Sequence, residues 1–313
     1  MSERRYRLLF CLPTTQLSGG VKVIFEIATR MARAGHAVEL FSYAGTPRWT
    51  SLDVPIVPAK NLEEITMARY DFVLVSNAFF LPLVLPLAGS TRVVFLAQDW
   101  ESFHHADGST YADFLSESPT FVALYQLPVP IIATSHAIQT LTRERAGRDT
   151  YYMPVGLNKS VFAPQPRKPT TPNKRVLMVG NYLMPYKGMR DGFEALRLLC
   201  REMPVQLVMV TQEKRSRQIF DAYEYPIEFQ FCPTEAQMPA IYASCDAYMC
   251  TSWYEGLGLP ALEAFRCGVP VVSTRTYGVS DYGVDDVKWE NGKITIEDKT
   301  ANKTITLAAS QQL

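Results

Sequence analysis

Short apolar runs alternate with helical patterns along most of the chain, and this alternation restricts the fold more than any other sequence feature. The run Leu8 to Leu12 is followed by the turn-prone Ser18-Gly19-Gly20 and by a segment with apolar residues at helical spacing, which ends at Gly35. Further strand-length runs are Val38 to Phe41, Phe72 to Val75, Val93 to Leu96 and Ile131 to Ala133. Continuous Val, Ile and Leu runs between helices predict a parallel sheet covered on both faces.

A Pro- and Lys-rich stretch at residues 163–173 interrupts this pattern and is typical of an interdomain linker. The alternation then restarts. Its predicted elements are strands at Val176 to Val179, Leu207 to Val210, Phe229 to Phe231, Ala247 to Cys250 and Val269 to Val272, and a helix at Met189 to Met203. We therefore predict an α/β protein with two Rossmann-like parallel-sheet domains, residues 1–162 and 174–313, facing across a cleft.

Composition excludes several classes of function. A chain of 313 residues suits two domains, and its 31 basic and 31 acidic residues leave no basic excess for a dominant nucleic-acid role. None of the six cysteines forms a CxxC pair, so neither a zinc site nor a disulfide framework is expected. No signal peptide or membrane-spanning run of roughly 20 apolar residues occurs. These features predict a cytoplasmic protein.

The segment Ser252 to Ala264 is the most informative part of the sequence for chemistry. It follows a predicted buried strand, and Gly256 and Gly258 let the backbone approach a ligand closely. Pro260 suits the first position of a helix. A glycine-rich loop that leads into a helix N-terminus favours an anion such as a diphosphate.

Two carboxylates, Glu255 and Glu263, flank this loop and helix start. A carboxylate accepts hydrogen bonds from two vicinal hydroxyls, which a ribose or a sugar ring offers. Local physics equally allows that Glu263 complements the helix dipole and that Glu255 is a solvated loop residue.

The segment resembles the EGxGLxxLEA motif of the GT-B glycosyltransferases, specifically the retaining glycosyltransferase family 4 (group 1), whose two motif glutamates are spaced like Glu255 and Glu263. Val179-Gly180-Asn181 with Lys187-Gly188 is similar to the family's donor loop, with Asn181 in place of an arginine. Met153 to Asn158 is similar to its hinge segment, and Ser18-Gly19-Gly20 to its opening glycine loop.

This resemblance implies a GT-B fold, with donor nucleotide-sugar bound mainly to the second half and acceptor to the first. It implies that Glu263 holds the ribose hydroxyls and Glu255 the donor sugar. It also implies that Lys187 and the loop stabilise the leaving diphosphate without a metal ion or a cofactor. The donor-binding residues that it implies are Gly19, Gly20, Asn181, Lys187, Glu255, Gly256, Leu257, Gly258, Leu259 and Glu263.

The block Gln98-Asp99-Trp100-Glu101 resembles a signature of rhamnosyltransferase-type members that act on bacterial polysaccharides, with Gln98 in the place of the family's histidine. Asp99 and Glu101 are candidates for binding acceptor hydroxyls, and Asp99 for deprotonating the attacking one. The alternative is that Asp99 caps a local turn and Trp100 packs in the cleft wall.

We therefore expect a retaining glycosyltransferase that moves a sugar from dTDP-rhamnose or a UDP- or GDP-hexose to a glycan or lipid-linked acceptor in surface polysaccharide biosynthesis. Peripheral contact with the inner face of the cell membrane stays open. The alternative is a non-catalytic sugar-nucleotide- or glycan-binding protein of the same fold, suggested by Asn181 and Gln98. A nicotinamide-dependent oxidoreductase is disfavoured because Ser18-Gly19-Gly20-Val21 is not GxGxxG.

Overall fold

The computed structural model describes residues 4–57, 70–87, 91–105, 116–166, 172–214, 223–283, 286–290, 293–298 and 303–308. These residues form two parallel sheets with flanking helices and a smaller antiparallel sheet. The prediction of two parallel-sheet α/β halves is confirmed.

The first sheet has the strand order β2-β1-β3-β4-β5-β6, with every neighbouring pair parallel. Its strands are β1 (Arg7–Leu12), β2 (Ala37–Ser42), β3 (Phe72–Val75), β4 (Arg92–Ala97), β5 (Ile131–Ala133) and β6 (Tyr151–Tyr152). The α-helices of this half are α1 (Gly19–Arg33), α2 (Leu81–Val84), α3 (Pro119–Tyr125) and α4 (His136–Ala146).

Alternate residues of β1 enter two different hydrophobic clusters. Leu9 and Cys11 pack in one cluster, and Leu8 and Phe10 pack in the other. Because successive side chains of a strand point to opposite faces, this division shows that the sheet is buried on both faces.

The second sheet has the order β11-β10-β7-β8-β9 and is also parallel. Its strands are β7 (Lys174–Val179), β8 (Val205–Thr211), β9 (Ile227–Phe231), β10 (Ala247–Cys250) and β11 (Val271–Ser273). The α-helices of this half are α5 (Met189–Leu199), α6 (Met238–Ala243), α7 (Leu259–Arg266) and α8 (Tyr277–Ser280).

Two elements of the second half differ from the sequence expectation. Helix α5 ends at Leu199 rather than Met203, since the chain tightens into i to i−3 bonds such as Arg201 N to Leu198 O. Strand β11 begins at Val271 rather than Val269, because Pro270 has no N–H to donate to a ladder.

A third sheet, which the sequence analysis did not predict, consists of β12 (Asp286–Glu290), β13 (Lys293–Asp298) and β14 (Lys303–Ala308). Its strands pair antiparallel in sequence order. The run Ile294-Thr295-Ile296-Glu297 alternates apolar and polar residues, which is typical of a strand. Residues 291–292, between β12 and β13, lie outside the described ranges.

Phe162, the last residue of the predicted first domain, packs in the core of the second half. It is 1% exposed there. Residues 167–171 of the predicted linker lie outside the described ranges.

The two halves meet where the strands of both sheets end. Gln212, which directly follows β8, donates from Nε2 to the Leu17 carbonyl at 2.9 Å. The Ser135 hydroxyl, two residues after β5, donates to the Gly256 carbonyl at 2.6 Å. Because ligands of parallel α/β sheets bind at the carboxyl ends of the strands, this seam is where a functional site is expected.

Candidate functional site

A glycine-rich loop at residues 251–258 joins β10 to α7. Gly258 is the N-cap residue of α7 with φ 77°, in the left-handed region that favours glycine. Pro260 is the second helical residue rather than the first. The N-cap residue makes no side-chain cap bond, and Pro260 has no N–H to donate. The Ala261 N–H donates to the Gly258 carbonyl at 3.0 Å, so Leu259 carries the first-turn N–H that is left to solvent or a ligand.

Gly256 brings this loop against the end of β4. A Cβ atom at Gly256 would lie 2.3 Å from the carbonyl oxygen of Gln98 and 3.3 Å from the Cα of Asp99. No larger residue fits there without moving the backbone. The predicted donor loop and the predicted acceptor block are therefore in direct contact.

Glu255 forms an ion pair with Lys187. Its Oε1 lies 2.7 Å from Lys187 Nζ and also accepts from the Ser252 hydroxyl at 2.6 Å. The Glu255 and Lys187 side chains are 15% and 23% exposed. Burial is the largest single effect and opposes the charged form of Lys187, but Glu255, Tyr186 and Cys250 together outweigh it and raise the pKa of Lys187 above its ordinary value. Lys187 is therefore a fixed cation at the cleft.

Lys187 is positioned by a 3₁₀ turn, Pro185–Lys187, that ends at Gly188. Gly188 has φ 55°, and a Cβ there would lie 1.9 Å from the Thr251 carbonyl oxygen. The lysine loop is thus pressed against the chain that leads into the glycine-rich loop.

Asp99 lies two residues beyond the carboxyl end of β4 and also stabilises its own turn. Its Oδ1 accepts from the Trp100 N–H at 2.9 Å, and its carbonyl accepts from the Tyr125 hydroxyl at 2.6 Å. Trp100 is fully buried. The turn and packing roles weighed for Asp99 and Trp100 are therefore both present.

Tyr186 lies between the two halves of the site. Burial raises the pKa of its phenol, Lys187 lowers it, and the charges of Asp99 and Glu255 raise it further. The same phenol therefore lies within electrostatic range of all three predicted catalytic residues, Asp99, Lys187 and Glu255.

Glu101 has a local structural role. Its carboxylate accepts from the Ala78 N–H, at 3.0 Å from Oε2, and so caps the 3₁₀ turn Ala78–Phe80. Acceptor binding by Glu101 therefore competes with this cap.

Gly19 and Gly20 lie at the start of α1, where the Ser18 hydroxyl accepts from the Val21 N–H. A Cβ at Gly19 would lie 3.3 Å from Leu259 Cδ1, and one at Gly20 would lie 3.5 Å from Gln98 Nε2. The opening glycine loop of the first half therefore faces the start of α7, which belongs to the second half, across the seam.

Glu263 is buried in α7, 6% exposed, and its Oε2 accepts from the Tyr242 hydroxyl at 2.7 Å. Burial raises the pKa of Glu263, against the lowering effect of Lys22. Lys22 Nζ also lies 3.9 Å from Glu235 Oε1. One oxygen of the predicted ribose-binding carboxylate is thus already paired, and a cation of the first half lies nearby.

Asn181 forms a turn at the end of β7. Its Oδ1 accepts from the Leu183 N–H at 2.9 Å. The side chain that replaces the family's arginine therefore shapes the loop that carries Lys187.

The sequence analysis missed the tyrosines that hold these residues, namely Tyr186, Tyr242 and Tyr254. Tyr254 is 1% exposed and accepts from the Trp100 N–H at 2.7 Å. Its position beside Glu255 in the motif is the only sequence signal for it.

Within the described ranges, no group of three or more His, Cys, Asp or Glu side chains is placed to hold a metal ion. Metal-independent chemistry remains a prediction. No helix in the described part of the chain has the length and apolar character needed to cross a bilayer.

Comparison with known families gives a match for the second half of the chain. Residues 162–308 match the model of the family described as glycosyl transferases group 1. This match begins at Phe162, the residue whose side chain already packs in the second core.

Two relatives of known activity match over shorter stretches. The chain is 27% identical over 132 residues to an MMP alpha-(1->4)-mannosyltransferase of Mycolicibacterium hassiacum, covering 40% of this chain and 31% of that protein. It is 50% identical over 42 residues to O-antigen chain mannosyltransferase B of Escherichia coli, covering 13% of this chain and 11% of that protein. The matched stretches thus span a third or less of either relative.

Solved structures match over most of the chain. The sucrose-phosphate synthase of Thermosynechococcus elongatus superposes with a TM-score of 0.67 at 15% identity, covering 87% of this chain and 82% of that one. WaaG, a glycosyltransferase involved in lipopolysaccharide biosynthesis, has a TM-score of 0.62 at 16% identity, covering 87% and 82%. At these identities the likeness shows the fold. Together the matches confirm the predicted resemblance to GT-B glycosyltransferases of group 1.

Proposed function

We propose that this chain, whose second half matches the glycosyl transferases group 1 family, transfers a sugar from a nucleotide-sugar to a glycan or lipid-linked acceptor in surface polysaccharide biosynthesis. The observation that carries the proposal is the junction of Lys187, Glu255 and Gly256 with the Gln98–Asp99 strand end. It joins a fixed cation, a sugar-binding carboxylate and a candidate base in one cleft.

The donor diphosphate would lie against the N-terminus of α7 and Lys187. Lys187 would exchange its bond to Glu255 for one to a phosphate oxygen, and Glu255 would accept from the donor sugar hydroxyls. Both groups are then placed where charge develops on the leaving diphosphate, which is the arrangement that electrostatic catalysis requires. Glu263 would accept from the ribose hydroxyls.

In the transfer step, the bond from the anomeric carbon to the diphosphate oxygen breaks, and the acceptor oxygen bonds to that carbon on the same face of the sugar, as retention of configuration requires. The electron pair of the broken bond leaves with the diphosphate, and the acceptor proton passes to Asp99. Asp99 has the position for this role because it lies at a strand end beside Gly256.

The finer assignments rest on the motif resemblance. Retention of configuration follows the family that the Glu255 and Glu263 motif resembles. The donor candidates are dTDP-rhamnose and a UDP- or GDP-hexose, and the mannosyltransferase relatives favour testing GDP-mannose first.

The test is a thermal-shift panel of dTDP, UDP, GDP and their sugar conjugates on the wild type, Glu263→Ala and Lys187→Met. Selective stabilisation by one nucleotide, lost in Glu263→Ala and weakened in Lys187→Met, is expected. Lys174→Met, which removes an exposed lysine paired with Asp246 at 3.7 Å, is the matched control and should leave the shift intact. No shift with any ligand on the wild type would refute the donor site.

A non-catalytic sugar-nucleotide-binding protein is the second candidate. The observation that favours it is that both motif carboxylates already have partners within the protein. Glu255 is paired with Lys187, and Glu263 accepts from the Tyr242 hydroxyl. Nucleotide binding without release of nucleotide from any of the donor sugars, with or without lipopolysaccharide-type acceptors, would support it.

A further inference from the structure

Tyr254 belongs to the glycine-rich loop of the second half, but its side chain lies in the core of the first half. It packs in the cluster that contains Phe95, Trp100, Phe103 and Tyr125. Its ring meets the Phe103 ring edge-on with centroids 5.2 Å apart. At 1% exposure, the ring is as buried as the strand residues around it.

The Tyr254 hydroxyl connects two groups of the Gln98–Glu101 block. It accepts from the Trp100 N–H at 2.7 Å and is hydrogen-bonded to the Asp99 carboxylate. The Trp100 N–H is shared with Asp99 Oδ1 at 2.9 Å. Tyr254, Trp100 and Asp99 therefore form a closed set of hydrogen bonds.

Tyr254 also directly precedes Glu255, whose Oε1 is held by Lys187 and Ser252. One residue thus joins the carboxylate assigned to the donor sugar with the carboxylate assigned to the acceptor hydroxyl. Gly256, on the other side of Glu255, is pressed against Gln98. The loop is fixed to the acceptor block on both sides of Glu255.

We propose that Tyr254 is a positioning residue that fixes the position of Asp99 relative to Glu255, so that the distance and orientation between the acceptor base and the donor sugar stay constant. This inference rests on the proposed glycosyl transfer. Tyr254 acts through Asp99 rather than on the substrates. A buried aromatic ring and a hydrogen bond both anchor Tyr254 in the first half.

The test compares Tyr254→Phe with Tyr225→Phe. Tyr225 is the matched control, a buried tyrosine of the second half whose hydroxyl donates to the Phe193 carbonyl at 3.0 Å, away from the seam. Both variants keep the ring and lose one hydroxyl. Initial rates of nucleotide release are measured with GDP-mannose, UDP-glucose and dTDP-rhamnose, together with nucleotide binding.

For Tyr254→Phe we expect kcat to fall by about 10- to 100-fold, as for a misplaced catalytic group, with the donor KM little changed. Tyr225→Phe should lose thermal stability and keep kcat. Asp99→Asn and the double variant Asp99→Asn/Tyr254→Phe should have the same kcat, because the second change acts only through Asp99. An unchanged kcat in Tyr254→Phe, or multiplicative losses in the double variant, would overturn the proposal.

Amide hydrogen exchange keeps the inference testable apart from turnover. Tyr254→Phe should speed exchange in the segment 98–102, and Tyr225→Phe should leave that segment unchanged. If the wild type turns over no donor, the proposed function fails, and the exchange result still decides whether Tyr254 holds the acceptor block. Equal exchange in the two variants would refute the coupling.

Discussion

Lys187 Nζ and Glu255 Oε1 lie 2.7 Å apart, although 68 residues separate them in the chain. The turn that ends at Gly188 and the loop that carries Gly256 bring them together. This pair places a cation and a carboxylate at the carboxyl ends of β7 and β10, where a phosphate and a sugar are expected to lie.

Glu255→Gln should abolish most transfer and lower stability. The change leaves Lys187 without its counter-charge and removes the charged acceptor for the donor sugar. We expect kcat/KM to fall by about 100-fold or more and the free energy of unfolding by about 1–3 kcal/mol.

Denaturant unfolding and donor turnover would measure the two effects of Glu255→Gln. The control is Glu194→Gln, which breaks the exposed pair Glu194–Arg197 at 2.6 Å. Because solvent screens that exposed pair, its loss should change stability little. Equal losses in the two variants would contradict a special role for the Lys187–Glu255 pair.

Gly256→Ala should disrupt the seam, because its Cβ would lie 2.3 Å from the Gln98 carbonyl oxygen. We expect a loss of about 1–3 kcal/mol, as for other overpacked sites, and a loss of turnover. Gly156→Ala is the control, since a Cβ there meets no atom within 4 Å. A Gly256→Ala protein as stable and active as Gly156→Ala would show that the close approach is unnecessary.

Asp99→Asn should separate binding from chemistry. Because the amide cannot take the acceptor proton, kcat should fall by about 100- to 10,000-fold, while nucleotide binding is retained. Steady-state kinetics and the nucleotide thermal shift measure these separately. Loss of nucleotide binding with an intact kcat would place Asp99 in the donor site instead.

Glu263 gives a pH-dependent prediction with a defined sign. Burial raises its pKa in the folded state above the ordinary value of 4.5, so the folded protein holds this proton more tightly than the unfolded chain. The stabilising contribution is complete below about 4.5 and is lost as pH rises through the raised pKa. As the pH rises from about 4.5 through the raised pKa of Glu263, the melting temperature of the wild type should fall relative to that of Glu263→Gln. A difference in melting temperature that does not change with pH would refute the raised pKa.

The apolar runs and turn glycines determined the two parallel sheets. Continuous Val, Ile and Leu runs such as Val73 to Val75 can be read directly as strands, because a strand buried on both faces needs no polar alternation. Local spacing likewise predicted a glycine-rich loop that leads into a helix. It also predicted that Glu255 and Glu263 flank this loop and the helix start. The alternation of apolar and polar residues within Lys293–Asp298 is equally visible in the sequence and indicates the strand β13.

Only the tertiary structure decided what each carboxylate contacts. Glu255 meets Lys187, Glu263 meets Tyr242, and Tyr254 enters the core of the other half. These contacts join segments far apart in sequence, and the partner of a side chain there depends on how two sheets dock. Sequence spacing fixes neighbours within one element, whereas burial and pairing across a seam are set by the packing of the whole chain.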